Sequence, residues 1–338
     1  LCHPEHSDQQ SRSRRILTGE IIMDMKKKEQ RSKILHTLFP FIGMVFVIAL
    51  FAILTKGKLI EGAGLKRMMT QAYTVVLVGM GASFIYMHGG IDFSLGSVLA
   101  LSELCAALLF EATGYSWIVA PMCIIVSVVC GFLTGLAAVK LNIPPFIASL
   151  CMQLAGRGIL NAVLDSRMVS VTSLKPPGWT ERLIVLAVVI AVVAVLGGMS
   201  KIGKYNKAIG ENRHTVYGSG INIGRFRLLA YIVCGACVGL AASFDLRRVG
   251  VLAGNTGLGL EMEVLIALVL GGLSMTGGYV VSVHHAIIGG ITVVVLNNGL
   301  TMLGLNSNYM GIVEGIVFLF MIIFTYKRER GRNTLLPR

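Results

Sequence analysis

Apolar runs of about 20 residues recur along almost the whole of this 338-residue chain, the length an α-helix needs to cross the hydrocarbon core of a bilayer. A water-soluble helix keeps one polar face, and most of these runs have none. Hydrophobic residues make up 54% of the chain and charged residues only 14%. The fold expected is an all-α integral membrane protein, a polytopic helical bundle of about ten transmembrane segments with Gly-rich helix breaks. The segments fall near 35–54, 69–88, 94–112, 117–139, 145–163, 182–199, 228–246, 262–279, 284–303 and 309–326. Gly-rich breaks near 69–112 and 262–303 leave re-entrant half-helices there as the alternative.

The net charge of +13 points to the membrane and away from nucleic acid. The segment through Lys33 holds eight Lys/Arg and five acids, residues 201–227 hold six and one, and the tail from Lys327 holds five and one. These three stretches carry nearly the whole excess, and basic clusters beside spans mark the cytoplasmic side. An even number of spans places both termini and the 201–227 loop in the cytoplasm. The 55–68 linker, with Lys56, Lys58, Lys66 and Arg67, falls outside and breaks that rule; snorkelling along the interface would accommodate it. The domains read as a cytoplasmic, disordered tail over 1–33, a transmembrane domain over 34–326 and a cytoplasmic tail over 327–338. Residues 1–24 resemble no signal peptide and are expected to be a non-native extension.

The most informative break is His88-Gly89-Gly90-Ile91-Asp92-Phe93-Ser94-Leu95-Gly96-Ser97. Polar, non-helical backbone at membrane depth persists only where protein buries it or a watery path runs past it. The break therefore suggests a chain that moves something polar across a membrane. Asp92 is read first as a cap for the helix starting near Ser94, with a place on the pathway as the alternative. Ser94 and Ser97 share that ambiguity.

Other motifs indicate no enzyme. Gly198-Met199-Ser200-Lys201-Ile202-Gly203-Lys204 matches the opening of a phosphate-binding loop, yet Tyr205 replaces the hydroxyl residue that holds magnesium and a membrane helix precedes it. Cys234-Gly-Ala-Cys237 has metal or redox spacing without a second ligand pair. Cys105, Cys123, Cys130 and Cys151 also sit in apolar stretches, where Cys packs as a small hydrophobe. No metal, cofactor or catalytic residue is expected. Gly131 and Gly135 have GxxxG spacing and Gly235, Gly239 and Ala242 share a helix face, which suits close helix packing.

Five stretches, in order, carry a resemblance. Gly89-Gly90-Ile91-Asp92-Phe93-Ser94-Leu95-Gly96-Ser97-Val98-Leu99-Ala100-Leu101 resembles the signature of ribose-type permeases of ABC importers. So does Ile143-Pro144-Pro145-Phe146-Ile147-Ala148-Ser149-Leu150 with Arg157-Gly158. Ser219-Gly220-Ile221-Asn222-Ile223, Leu260-Glu261-Met262-Glu263 leading to Leu270-Gly271-Gly272-Leu273-Ser274, and Leu296-Asn297-Asn298-Gly299-Leu300 are similar to that family's later motifs. The resemblance implies a permease subunit in a bacterial cytoplasmic membrane that forms the path for a sugar or sugar-like solute. It implies a second permease copy or a paralogue, separate ABC ATPase subunits and an extracytoplasmic substrate-binding protein. Related permeases for nucleosides or branched-chain amino acids are the alternative. An ion-coupled secondary transporter is a different class, which would need mid-membrane carboxylates such as Asp92, Glu103 and Glu314.

The resemblance places ATPase coupling on the loop holding Arg213, His214, Thr215, Tyr217, Ser219, Gly220 and Ile221. Arg213-His214-Thr215 stands where the family carries a Glu-Ala-Ala-like pattern, and His284-His285 where relatives have a glycine-containing stretch. Segment 164–181 is shorter than the family norm. Asn297 and Asn298 are pathway candidates; being adjacent, they point to different helix faces. Glu261 and Glu263 suit a helix start, with binding-protein docking as the functional alternative. Arg157, deep in a span, should meet an acid or carbonyls; Glu103, Asp245 and Glu314 are the acids considered.

Overall fold

The apolar runs fold as helices because, without water, only intra-segment bonding satisfies every backbone N–H and C=O. The computed structural model describes residues 40–165, 167–273, 277–278, 283–305, 309–320 and 323. They form α1 (Pro40–Leu54), α2 (Gly62–Met87), α3 (Leu95–Thr113), α4 (Val119–Lys140), α5 (Pro145–Leu164) and α6 (Trp179–Gly198). Two short helices follow, α7 (Lys201–Glu211) and α8 (Arg213–Gly218), then α9 (Ile223–Val249), α10 (Leu260–Leu270), α11 (Val283–Met302) and α12 (Tyr309–Phe320). Among the described residues there is no strand, only an isolated bridge between Ser170 and Val251 that ties the connections after α5 and α9. Seven of the helices are long and apolar enough to cross a membrane.

The span expected over 262–279 takes a different form. α10 has 11 residues and at 1.5 Å per residue is about 16 Å long, against a bilayer core of roughly 30 Å. It stops at Gly271-Gly272, where Gly272 has φ +94°. The second half of the 55–68 linker is helical, since α2 already begins at Gly62. The expected tails 1–33 and 327–338 lie outside the described residues.

α2 forms the axis of the bundle, with every residue from Ala72 to Met87 buried. A helix apolar on all sides belongs in such a position. It packs against α9 and α11, and Tyr73 meets Phe244 of α9 with ring centroids 5.0 Å apart. The most extensive pairing joins α4 to α9, and it brings together the two small-residue faces. A Cβ placed on Gly131 would lie 2.7 Å from the Tyr231 carbonyl oxygen; one on Gly235 would lie 2.6 Å from that of Ser127. Dispersion and weak polar contacts hold such helices together in lipid, so the backbones must come this close. At the far end of α9 the Arg247 guanidinium grips both carboxylate oxygens of Glu181, joining α9 to α6.

α5 and α6 turn broad apolar faces outward, with Leu154 73% and Ile184 59% exposed. Faces of this size on a soluble monomer would be aggregation sites, whereas lipid covers them without penalty. α7 is different, being amphipathic and capped by Ser200, whose side chain accepts from the Ile202 and Gly203 amides. That cap accounts for the phosphate-loop look-alike: Ser200 starts a helix, and Gly203 packs directly on the Gly197 backbone.

Replacing Gly235 by Leu should overpack the α4–α9 contact at a cost of about 1–3 kcal/mol or more. The purified protein in detergent should then show a lower thermal midpoint. Gly158→Leu, at a position where nothing lies within 4 Å of the new Cβ, should leave the midpoint unchanged.

Candidate functional site

The break between α2 and α3 is built from local hydrogen bonds. Gly89, with φ +77°, lets its own N–H reach the Tyr86 carbonyl and that of Gly90 reach Ile85. This is the double bond pattern that closes a helix on a left-handed glycine. The chain then runs to Asp92, which is 4% exposed and accepts from the Ser94 amide at 2.8 Å and the Ser94 hydroxyl at 2.6 Å. The Ser97 hydroxyl donates to the Ser94 carbonyl, and the Phe93 amide donates to Ser149 Oγ on α5. Asp92, Ser94 and Ser97 thus form one buried knot at the start of α3, bonded to each other.

The start of α10 lies against that knot. Gly257 and Gly259 both have positive φ, and a Cβ on Gly96 would strike the Gly257 carbonyl and the Glu261 carboxylate. Glu261 is 6% exposed and accepts from Gln153 Nε2 at 2.9 Å. Arg157 donates through Nη1 to the Thr256 carbonyl, with Glu261 near enough for the two charges to act on each other. None of the three acids considered from sequence takes the role of its hydrogen-bond partner. Asp245 is instead held by Arg248 at 2.6 Å, while Glu103 is buried with one oxygen unpartnered.

A second polar region opens between α2, α9, α10 and α11, a cavity of about 420 Å³. Asn297 and Asn298 both line it, and each is fastened to a different helix. Asn298 donates to Gln71 Oε1 on α2 at 2.6 Å and to the Val294 carbonyl; Asn297 donates to Glu263 Oε1 on α10 at 3.2 Å. The Asp245–Arg248 pair faces the same space. Asp92, Ser94 and Ser97 do not line it. Glu263 does, while Glu261 stands with the Arg157 group.

At the other end of the molecule, α7 and α8 form a hairpin anchored to α9. The Asn206 amide, fully buried, donates to the Ile202 and Phe226 carbonyls. Ile209, Val216 and Ile223 pack into a small core of their own. Asn212 caps α8 through the amides of His214 and Thr215, and Ser219 bonds back to the Thr215 carbonyl. Arg213, His214, Tyr217, Gly220 and Ile221 line a groove of about 910 Å³ together with Arg227. Tyr217 is 77% exposed.

Comparison with known proteins gives this geometry a family. Residues 64–322 match the family model described as the branched-chain amino acid transport system / permease component. The chain belongs to that permease family. It is 26% identical to the ribose import permease protein of Escherichia coli (strain K12) over 273 residues, covering 77% of this chain and 85% of the relative. It is 27% identical to the ribose import permease protein of Bacillus subtilis (strain 168), covering 92% and 99%. It is 27% identical to the D-allose transport system permease protein of E. coli K12, covering 81% and 87%. No solved structure matches. The protein is therefore a multi-pass membrane permease, the transport component of an ABC importer and not an enzyme.

In this permease several polar residues of the two interior groups escaped notice in the sequence. Gln71 and Thr74 lie on a helix that reads as buried, and only the register of α2 against α11 turns them into the cavity. Gln153 belongs to the same class. Asp245 and Arg248 carried a signal, an i,i+3 pair of opposite charge close to the end of an apolar run.

Asp92→Ala removes both bonds to Ser94 and should lower stability by about 1–2 kcal/mol. Ser94→Ala removes only the hydroxyl bond and should lower the thermal midpoint less. An unchanged midpoint in Asp92→Ala would rule out the helix-start role.

Proposed function

We propose that this permease carries a sugar or sugar-like small solute inward across a bacterial cytoplasmic membrane, fed by an extracytoplasmic binding protein and driven by separate ATPase subunits. The relatives named above are permeases of ribose import and of a D-allose transport system, which supports the solute class. The seven long helices, with the shorter apolar helices α1, α10 and α12 counted as further segments, support a reading of ten membrane segments. The positive charge of residues 201–227 and of both termini supports a topology with all three in the cytoplasm. A second copy or a paralogue would complete the path.

The α7–α8 hairpin carries the coupling part of this reading. It is polar and exposed on one side, yet fixed to α9 by Asn206 and by the Ile209–Val216–Ile223 cluster. A push on such a hairpin reaches α9, and α9 is packed along α2 and α4. ATP-driven closure of the partner subunits would in this way rearrange the bundle, an alternating-access cycle. Arg213-His214-Thr215 gives the ATPase a more basic contact than a Glu-Ala-Ala-like pattern would.

Tyr217→Glu places a charge in the middle of the exposed groove, where complementarity should decide binding. A co-expressed ATPase subunit should then fall on the order of tenfold in co-purification, with the yield of folded permease unchanged. Full retention of the ATPase would remove this hairpin as its contact.

A further inference from the structure

We propose that the cavity between α2, α9, α10 and α11 is where the transported solute meets this chain, and that its chemistry accepts a neutral polyhydroxylated molecule. This rests on the transport reading above and assigns it a place. The cavity, at about 420 Å³, falls within the roughly 300–1,000 Å³ of small-molecule pockets. Its charged and amide walls come from four helices: Arg67 and Gln71 from α2, Asp245 and Arg248 from α9, Glu263 from α10, Asn297 and Asn298 from α11.

The wall is already hydrogen-bonded to itself, in pairs that a hydroxyl can enter. Gln71 with Asn298, and Glu263 with Asn297, each join a donor to an acceptor across two helices. A sugar hydroxyl both donates and accepts, so it can part such a pair and satisfy both ends. Asn297 Oδ1 is buried with no hydrogen-bond partner among the described residues, an acceptor to which a solute hydroxyl would donate. The charges argue in the same direction. Two basic side chains, Arg67 and Arg248, share the lining with two acids, Asp245 and Glu263, and Arg248 is paired with Asp245, so the wall carries no formal net charge to favour an ionic solute. Among the described residues the lining includes no Phe, Tyr or Trp, which leaves a nucleobase without the ring surface it would stack on. Separating α2 from α11 would break the Gln71–Asn298 bond, so the cavity also sits where a rearrangement of the bundle would change its shape.

The test uses the full chain expressed with its ATPase and binding protein. Gln71→Cys and Asn298→Cys are treated from outside the cell with a charged, membrane-impermeant methanethiosulfonate. Both should label faster than the unmodified chain, and labelling should cut uptake of radioactive ribose by on the order of tenfold. Leu104→Cys, in the packed core and 1% exposed, should stay unlabelled. Absence of label at both cavity positions, or label without effect on uptake, overturns the site. Excess allose should slow uptake while leucine and uridine do not; inhibition by leucine or uridine overturns the solute class. An unmodified chain that takes up no ribose and retains no ATPase would instead sink the transport reading, and the labelling pattern would still judge the cavity.

Discussion

Every backbone polar group inside this bundle has to find a partner without water, and the shape of the core follows from how that demand is met where helices stop. α2 ends in a glycine-closed turn, with Gly89 and Gly90 amides returned to Tyr86 and Ile85. Asp92 takes the Ser94 amide just before α3, and Arg157 reaches across from α5 to the Thr256 carbonyl just before α10. Each bond permits an interruption that would otherwise leave donors or acceptors stranded in an apolar surrounding. Because the interruptions are tolerated, the starts of α3 and α10 meet inside the protein, separated only by Gly96 and Gly257.

Close approach is the second condition. Glycines on α4 and α9 bring those backbones together so tightly that any side chain would collide. The result is a rigid pair, with α9 also lying against α2 and tied to the α7–α8 hairpin through Asn206. A continuous line of packed helix thus runs from the groove around Tyr217 to the cavity lined by Asp245 and Arg248. Rigid elements of this kind carry displacement well because packed cores deform little.

The pathway candidates divide into two places. Asp92, Ser94 and Ser97 are the most visible polar residues in the sequence, and their hydrogen bonds go to one another. Asn297 and Asn298 stand with residues that looked unremarkable, such as Gln71 at the edge of the apolar stretch of α2. Conspicuous chemistry within one segment marks where the chain must satisfy itself locally. A cavity needs contributions from segments distant in sequence, Gln71 and Asn298 being 227 positions apart, and no single stretch announces it.

Length and apolarity determined the membrane class, the limits of most helices and the small-residue faces, because bilayer thickness and backbone bonding act on each segment separately. The GxxxG spacing of α4 was legible in the same way. That its partner is the Gly235–Gly239 face of α9, that Arg157 turns to Thr256 and to none of the acids considered, and that α10 stops after 11 residues were decided only by the tertiary structure. Those outcomes depend on which helices become neighbours. That choice is a competition among many apolar faces of nearly equal energy in lipid, settled by the fit of side chains across the whole bundle.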